Sequence, residues 1–372
     1  MAIASLNMAS PMSSMKRPIR IGIVGLGYRS MSAVWEEEMG PALAMDSRGF
    51  QITALCDNDP QKRQAGKKLA LERYGREVEV FNTFEEMYRH AELDAVYIAG
   101  PNYLHAEMAI GAMRAGLDVL CEKPIATSLQ DADEMNRVAM EQERVLAFFM
   151  QMHYRRRYHR IVELIRAGRI GEPVMTWCTE FRGPFPHWMN WVPERAKSGG
   201  ALVEKNCHHC DILDLWAASD PVIVYAQGGQ KKHLELCGRK SEIIDHAWVT
   251  YEYQNGIKAM IGINFTQNYR HQREFGIAGT EGIIKFDLRD GEKLHLTTNA
   301  DETEVIDCPG NLRGGVLMDF INCVHTRSQP LVDFERARRA LLVPLAAELS
   351  LQEKRPVHIE ELEYSRNMAV LT

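Results

Sequence analysis

The sequence is poor in the features that mark secreted, membrane or nucleic-acid-binding proteins. Its 372 residues include eight scattered cysteines, with no disulfide framework, so we expect free thiols in a reducing compartment. No apolar run approaches the ~20 residues that span a bilayer. The net charge of −6 gives no overall attraction to nucleic acid or to an anionic membrane. These absences predict a cytoplasmic protein that binds neither nucleic acid nor membranes.

The N-terminal segment lacks the order of a secretory signal. Residues 1–17 are rich in Met, Ser and Ala, and their first positive charges are Lys16 and Arg17, whereas a signal places basic residues before an apolar run. We expect a disordered tail there. With 45% hydrophobic and 25% charged residues, the rest has the composition and length of two globular domains, which we predict at 18–150 and 151–372.

The first informative feature is a strand followed by a glycine-rich turn, within residues 20–30. Gly25 allows a tight turn, Gly27 lets a pyrophosphate approach the backbone, and a mixed helix is expected over residues 31–38. The N–H groups at such a helix start attract an anion. This pattern predicts a dinucleotide site. With Ser30 in the third glycine position, it also fits an ordinary loop.

A second strand, residues 51–56, ends at Asp57. An acidic residue at this place in a nucleotide-binding sheet hydrogen-bonds the adenosine ribose. A carboxylate also repels a 2′-phosphate, which favours NAD over NADP, although Lys62 and Arg63 nearby would weaken that preference. The alternative interpretation of Asp57 is a turn or helix cap before Pro60.

Strands and helices alternate through the rest of the first half, which predicts a doubly wound parallel sheet. The further strands are expected at residues 77–81, 94–99, 118–121 and 145–150. Two of them end in Gly100-Pro101-Asn102 and in Glu122-Lys123-Pro124. Both segments reach the carboxyl edge of the sheet, where ligands of open α/β sheets bind.

The runs Pro101-Asn102-Tyr103-Leu104-His105 and Gly116 to Pro124 resemble the glucose–fructose oxidoreductase / inositol dehydrogenase (Gfo/Idh/MocA) family. The resemblance extends from about residue 20 nearly to the C-terminus. It implies that Lys123 contacts the reacting hydroxyl and that Glu122 holds the nicotinamide ribose. The predicted cofactor-binding residues are Gly25, Gly27, Tyr28, Arg29, Asp57, Pro101, Asn102, His105, Glu122 and Lys123.

The run from Gly200 to His208 matches the second motif of that family. A helix is expected through Trp216, with Glu204 and His208 on one face and Asp211 on the same stripe. The resemblance maps the catalytic histidine to His208. The acid four residues earlier, an Asp in the family, is Glu204 here.

The predicted catalytic residues are therefore Lys123, His208 and Glu204. A carboxylate beside an imidazole raises its basicity, which suits a general base. In the same helix Asn206 replaces the glycine that is usual in the family.

The same helix raises the alternative of a zinc site. Its candidate ligands are Cys207, His208, His209 and Cys210. Adjacent helical residues point about 100° apart, so the four cannot converge on one ion. We predict no metal.

Two further clusters are open to more than one interpretation. The arginines Arg155, Arg156, Arg157 and Arg160 suggest an anion site, but a solvated helix face with one arginine towards the cofactor cleft is preferred. The aromatic loop 181–191 suits sugar stacking, and equally core or interface packing. The candidate substrate residues are Tyr154, Arg155, Arg182, His187, Trp188, Asp211 and Tyr269, with Arg270 beside them.

The second half reads as a mostly antiparallel sheet closed by helices. Strands are expected at 222–227, 246–253, 258–265, 272–278 and 282–287, with closing helices at 318–325 and 334–352. One face of the sheet is covered by the helix of Glu204. The resemblance implies that the other face joins a homo-oligomer, a dimer or tetramer. The fold class is α/β, a Rossmann domain followed by an α+β domain with a large open sheet.

These features predict an NAD-dependent oxidoreductase acting on a secondary alcohol or ketone of a sugar, polyol or glycoside. The first alternative is a redox-neutral glycosidase or lyase that retains NAD and oxidises the sugar transiently. The second is a non-catalytic NAD-sensing regulator, since the fold does not fix function.

Overall fold

The computed structural model describes residues 17–31, 49–267 and 271–363. The expected tail and the helix at 31–38 lie almost wholly outside them. The elements of the first half are β1 (Ile19–Val24), β2 (Phe50–Cys56), α1 (Pro60–Tyr74), β3 (Glu79–Phe81), α2 (Phe84–His90), β4 (Ala95–Ile98), α3 (His105–Arg114), β5 (Asp118–Glu122), α4 (Leu129–Glu141), β6 (Leu146–Phe149) and α5 (Gln151–Tyr154).

The second half continues the chain with more strands than helices. Its elements are α6 (Arg156–Arg166), β7 (Pro173–Phe181), α7 (Arg195–Ser198), α8 (Ala201–Ala217), β8 (Pro221–Gly229), β9 (Glu235–Leu236), β10 (Arg239–Lys240), β11 (His246–Tyr253), β12 (Lys258–Asn264), β13 (Gln272–Gly279), β14 (Gly282–Asp287), β15 (Lys293–Thr298), β16 (Thr303–Asp307), α9 (Val316–Thr326), α10 (Phe334–Glu353) and β17 (Val357–His358).

The first sheet confirms the predicted doubly wound arrangement. Within the described residues it has six strands in the order β3-β2-β1-β4-β5-β6, and every pair is parallel. Strands β4 and β6 are buried along their whole length, as expected of strands covered on both faces. The strand order reverses between β1 and β4, so their carboxyl ends open a crevice of the kind that binds ligands.

The second sheet confirms the predicted α+β architecture. Its nine strands, counted over the described chain, follow the order β16-β15-β14-β13-β7-β12-β11-β8-β17. All neighbours are antiparallel except β7 and β12. An aromatic core lies on one face, where the rings of Tyr158, Trp216, Phe275 and Phe286 meet at centroid distances of 5.4–6.5 Å.

The chain divides into two compact units that are interleaved in sequence. The first comprises residues 1–122, 133–154 and 311–334, and the second residues 123–132, 155–310 and 335–372. Residues 311–334 join the first unit because buried Asp319 accepts the Tyr154 hydroxyl (2.9 Å) and Arg327 pairs with Asp118 (2.7 Å). The predicted domain division at residue 150 stays a prediction.

No helix in residues 17–31, 49–267 or 271–363 has the length and apolarity needed to cross a membrane.

Candidate functional site

The glycine turn after β1 has the shape that a dinucleotide requires. Gly25 has φ +88°, and a Cβ there would lie 2.6 Å from the Ala99 carbonyl oxygen, so only glycine fits. A Cβ at Gly27 would meet no atom of the described chain within 4 Å. The backbone at Gly27 thus borders open space. This is the cradle that a pyrophosphate group occupies in such folds.

Asp57 holds the same turn from the end of β2. Its Oδ2 accepts the Leu26 backbone N–H (2.8 Å), and its Oδ1 accepts that of Asp59 (2.9 Å). The helix cap is Asp59, which accepts the N–H of Gln61 at the start of α1. The capping alternative therefore applies to Asp59, while Asp57 ties the second strand to the glycine turn and places a carboxylate at the sheet edge.

The segment after β4 is fixed by buried polar groups. Asn102 begins a short 3₁₀ turn and is buried, as is His105 at the start of α3. The His105 Nε2 lies 3.0 Å from the Gly100 carbonyl oxygen, which means that this nitrogen carries the proton. Pro101 lies between Gly100 and Asn102 in the chain, and Tyr28 of the glycine turn is exposed. Both positions remain predictions as cofactor contacts.

Glu122 and Arg29, predicted separately as cofactor residues, are brought together at the end of β5. The Glu122 Oε1 accepts Arg29 Nε (2.7 Å) and the Tyr97 hydroxyl (2.9 Å). The Arg29 guanidinium also lies 5.2 Å from the centroid of the Phe149 ring. Burial raises the pKa of Tyr97 well above its usual value, so this hydroxyl stays a donor. Sequence reasoning missed Tyr97, which lies inside a uniformly apolar strand.

Lys123 and Glu204, both in the second unit, form an ion pair. The Lys123 Nζ donates to Glu204 Oε1 (2.9 Å) and to the Glu204 carbonyl oxygen (2.8 Å). The side chains are 16% and 6% exposed. Two of the three predicted catalytic residues are therefore in contact. His208 and Asp211 are buried on the same helix, α8, and the expected pairing of Glu204 with His208 remains a prediction.

Helix α8 is held at its N-terminus by Glu348 of α10. The Glu348 Oε1 accepts the Leu202 N–H (3.1 Å). Gly200, the N-cap residue, has φ +99° and approaches so closely that a Cβ would lie 2.2 Å from that oxygen. An acidic side chain at a helix N-terminus is stabilised by the free N–H groups and the helix dipole. The available signal was Glu348 as the single charged residue between Arg339 and Glu353 of α10.

The two thiols of α8 among the candidate zinc ligands are buried. Burial raises the pKa of Cys207 to about 12 and that of Cys210 well above its usual value, so both stay protonated near neutral pH. Thiolate is the form that binds zinc. The described residues contain no group of three or more His, Cys, Asp or Glu side chains placed to hold a metal ion.

The arginine cluster differs from its expected arrangement. Arg157 is buried, with its guanidinium 4.5 Å from the Phe286 ring centroid and bonded to the Gly291 carbonyl. Arg156 and Arg160 both pair with Glu163, as a solvated face predicts. Arg157 thus packs within its own unit, and the expectation of one arginine facing the cofactor cleft stays a prediction.

The candidate substrate residues are scattered. Tyr154 is 1% exposed and donates to buried Asp319, and its role as a substrate contact stays a prediction. Arg155 lies 3.3 Å from Glu292. The His187 ring contacts exposed Trp188 at 5.1 Å. Tyr269 and Arg270 lie outside the described residues.

The aromatic loop divides between core and surface. The Phe185 ring is buried and packs on Phe265 at a centroid distance of 4.9 Å, as the core interpretation expects. Trp188 projects into solvent. A substrate role thus stays open for the exposed residues alone.

Sequence reasoning missed a buried charged cluster around Glu180 of β7. This carboxylate is fully buried, and its neighbours are Lys205 (3.1 Å), His271 (2.8 Å), His209 (3.0 Å), Arg182 (3.8 Å) and Arg273 (4.0 Å). Glu180 and Arg273 are opposite each other on β7 and β13. The available signal was Lys205 and His209, four residues apart on a buried helix.

Burial sets the ionisation of this cluster. It lowers the pKa of Lys205 to about 8 and that of His209 to about 4. His209 is therefore neutral near pH 7, with its Nδ1 2.8 Å from Asn206 Nδ2. Although burial opposes it, Lys205 and the imidazoles keep the pKa of Glu180 well below its usual value. The carboxylate is thus ionised and fixed in place.

Known proteins resemble this chain along most of its length. Residues 19–150 match the model of the oxidoreductase family with an NAD-binding Rossmann fold, and residues 158–285 match the GFO/IDH/MocA C-terminal domain. The 1,5-anhydro-D-fructose reductase of Ensifer adhaerens is 29% identical over 267 residues, which are 70% of this chain and 78% of that protein. The myo-inositol 2-dehydrogenase of Thermotoga maritima is 25% identical over 362 residues, 92% of this chain and 99% of that protein.

The fold is shared with solved structures. The aldose-aldose oxidoreductase of Caulobacter crescentus, crystallised with glycerol, superposes with a TM-score of 0.77 at 21% identity, covering 92% of this chain and 100% of that one. The two domain models match the chain in the same order as its two sheets. These matches agree with the geometry of the glycine turn and of α8. The chain belongs to the Gfo/Idh/MocA family of oxidoreductases, whose N-terminal domain is an NAD-binding Rossmann fold.

Proposed function

We propose that this protein is an NAD-dependent oxidoreductase that transfers a hydride between nicotinamide and a secondary alcohol or ketone of a carbohydrate. The observation that carries the proposal is the contact of Lys123 with Glu204. It joins the residue that follows β5 to the helix on which the predicted base, His208, is buried. Relatives named for their action on anhydrofructose and myo-inositol support a sugar or polyol as substrate.

The residues at the edge of the first sheet fit NAD. The turn at Gly25 and Gly27 would hold the pyrophosphate, Asp57 the adenosine ribose, and Glu122 the nicotinamide ribose. When bound, the nicotinamide accepts or gives the hydride. We favour NAD over NADP because the Asp57 carboxylate, fixed by the N–H groups of Leu26 and Asp59, repels a 2′-phosphate.

The chain's own groups handle the proton and the charge. The Lys123 ammonium, which donates to two oxygens of Glu204, would also donate to the substrate oxygen and offset its developing negative charge. His208 takes the hydroxyl proton during alcohol oxidation and returns it during ketone reduction. The Lys123–Glu204 pair thus orients the cation, and His208 moves the proton.

The redox-neutral alternative is not favoured. The curated relatives described above are named as a reductase and a dehydrogenase, which carry out net redox chemistry. A non-catalytic sensor would have no need for a lysine–glutamate pair beside a buried histidine. Net accumulation of NADH separates these alternatives from a dehydrogenase.

The direct experiment incubates the purified protein with NAD and a panel of sugars, polyols and glycosides while the absorbance of NADH is followed. We expect NADH to appear with at least one substrate and the Lys123→Ala variant to be strongly impaired. An unaltered rate in that variant would refute the assigned roles. Product analysis without any NADH would point to the redox-neutral alternative.

The face of the second sheet that carries Trp248 is proposed to contact a second copy of the chain. Trp248 and Met175 are each 49% exposed there, beside a groove of about 610 Å³ lined by Trp177, Tyr225 and Met260. Large exposed apolar patches mark interaction surfaces. A sheet face presented by each protomer suits an isologous dimer or a tetramer built from it.

A cytoplasmic location is proposed from composition. The eight cysteines are free thiols, as a reducing compartment favours.

A further inference from the structure

Two cations of the cluster around Glu180, Lys205 and Arg182, share this one carboxylate. Lys205, Arg182 and Arg273 all lie within 4.0 Å of this one carboxylate. Within the described residues, Glu180 is the sole carboxylate at ion-pair distance from Lys205 and from Arg182. A cluster that served packing alone would be more stable with its charges matched, because each buried ion costs desolvation energy.

Lys205 is the cation whose charged form this arrangement destabilises most. Burial and the repulsion of Arg182 and Arg273 lower its pKa to about 8, even though Glu180 attracts it. Ionisable groups perturbed in this way concentrate at functional sites. A further anionic group would relieve the repulsion among the cations.

Parts of the cluster are exposed to solvent. The side chains of Lys205 and Arg182 are 16% and 26% exposed, and that of His271 is 42% exposed, whereas Glu180 is fully buried. Glu180 thus lies deeper in the protein than the cationic groups, which lie between it and solvent. An incoming anion would meet the ammonium and the guanidinium first.

The cluster also adjoins the proposed catalytic residues. Lys205 directly follows Glu204, whose carboxylate binds Lys123, and the Lys123 charge is close enough to lower the pKa of Lys205. A group bound at Lys205 would therefore lie near Lys123 and the hydroxyl that Lys123 is proposed to contact. In a sugar acid, the carboxylate and the secondary hydroxyls are only a few bonds apart.

We infer that Lys205 and Arg182, fixed by Glu180, bind a carboxylate of the substrate, so that the enzyme acts on a sugar acid in preference to a neutral sugar. This inference rests on the proposed oxidoreductase function. The planar guanidinium of Arg182 suits a carboxylate, and Lys205 adds a point charge. His209 contacts Glu180 at 3.0 Å and is itself hydrogen-bonded to Asn206.

The test compares matched pairs: glucuronate with glucose, galacturonate with galactose, and glucose 6-phosphate as the phosphate arm. We expect kcat/KM for the better uronate to exceed that of its neutral partner by about tenfold or more, as two charge-assisted contacts allow. Lys205→Met and Arg182→Gln should raise KM for the uronate by more than they raise it for the neutral sugar, so that the ratio of the two kcat/KM values falls. The matched control is Lys240→Met, at an exposed residue of the β9–β10 hairpin.

Equal kcat/KM for uronate and neutral sugar in the wild type would overturn the inference while leaving the oxidoreductase proposal intact. So would a preference that survives both substitutions, or one shown for glucose 6-phosphate instead of the uronates. Should Lys205→Met not fold, Arg182→Gln, at a half-buried position, provides the same comparison.

A binding experiment separates this inference from the proposed function. If no compound yields NADH, calorimetric titration of the NAD-loaded protein with glucuronate and galacturonate still tests the cluster. Uronate binding that is lost in Arg182→Gln supports the inference even though the proposed reaction has failed. Absence of uronate binding in the wild type overturns it.

Discussion

Glu204 receives the Lys123 ammonium at two points, its side-chain oxygen at 2.9 Å and its backbone carbonyl oxygen at 2.8 Å. The carbonyl contact survives any side-chain substitution at this position. The carboxylate contact does not, so the two can be separated experimentally.

We expect Glu204→Gln to keep Lys123 in place but weaken its orientation, lowering kcat by about tenfold to a hundredfold, whereas Lys123→Met lowers it by about a thousandfold or more. Steady-state kinetics with the best substrate measures both. Binding of NAD, followed by fluorescence titration, should stay within a few-fold in the Glu204 variant. Loss of NAD binding there would show that Glu204 acts on the cofactor site instead.

Asp57→Asn should weaken NAD binding by about tenfold, because the amide cannot accept both backbone N–H groups. It should also reduce the preference for NAD over NADP, because the amide no longer repels a phosphate. Titration with each dinucleotide measures the effect. Asp59→Asn, two residues away, removes the same charge but preserves the helix cap, since asparagine caps as well as aspartate. Equal effects of the two substitutions would contradict the role of Asp57.

Gly200→Ala should destabilise the protein by about 2–4 kcal/mol, because the methyl group would collide with Glu348 and the residue would keep a positive φ. Denaturant unfolding measures the change. Gly238→Ala is the matched control: its φ is +72°, but a Cβ there meets no described atom within 4 Å. We expect it to cost only about 1 kcal/mol. A similar loss in both variants would mean that the Glu348 contact is unimportant.

Two buried groups in the second unit set opposite pH dependences. Burial raises the pKa of Asp214 from 3.8 to about 8, so the folded state holds a proton that the unfolded state has released above pH 4. Burial lowers the pKa of His209 from 6.5 to about 4, so there the unfolded state holds the extra proton. The effects cancel between pH 4 and 6.5.

From pH 6.5 to about 7.5 the Asp214 effect dominates, because Lys205, whose pKa burial lowers to about 8, loses its proton in the folded state only near pH 8. The free energy of unfolding should fall by about 1 kcal/mol per pH unit over this range. Asp214→Asn keeps an oxygen for the Tyr253 hydroxyl, which now donates to Asp214 Oδ1 at 2.7 Å. In this variant the decline should vanish, and a loss of stability from pH 6.5 down to 4 should appear. Asp301→Asn, at an exposed turn, should retain the wild-type profile.

Trp248→Glu should shift the protein towards monomers, because it places a charge in the proposed apolar interface, where the indole lies over Gly262 and against Phe181. Light scattering over a range of concentrations measures the mass. Leu71→Glu, an equally exposed apolar residue on α1, is the control and should leave the mass unchanged. A wild-type monomer at all concentrations would remove the proposal.

Both sheets and several site residues can be predicted from local sequence patterns. The turn at Gly25 and the strand ends at Asp57 and Glu122 depend on short-range chemistry, so they could be predicted from neighbouring residues. The hydrogen-bond partners of these residues could not be predicted from neighbouring residues. That Glu122 binds Arg29 and Tyr97 depends on which strands lie side by side.

The sequence by itself determined the alternation of strands and helices, the glycine turn and the helical spacing of Glu204, His208 and Asp211, because each is encoded within a few consecutive residues. Only the tertiary structure decided that Glu204 binds Lys123, that Glu348 caps α8, and that Glu180 gathers three cations. Lys123 and Glu204 are 81 positions apart in the chain, and Leu202 and Glu348 are 146 apart. Within the Glu180 cluster the largest separation, to Arg273, is 93 positions. The physical cause of these contacts is packing and strand register, which bring distant charges into one buried place where each must find a partner.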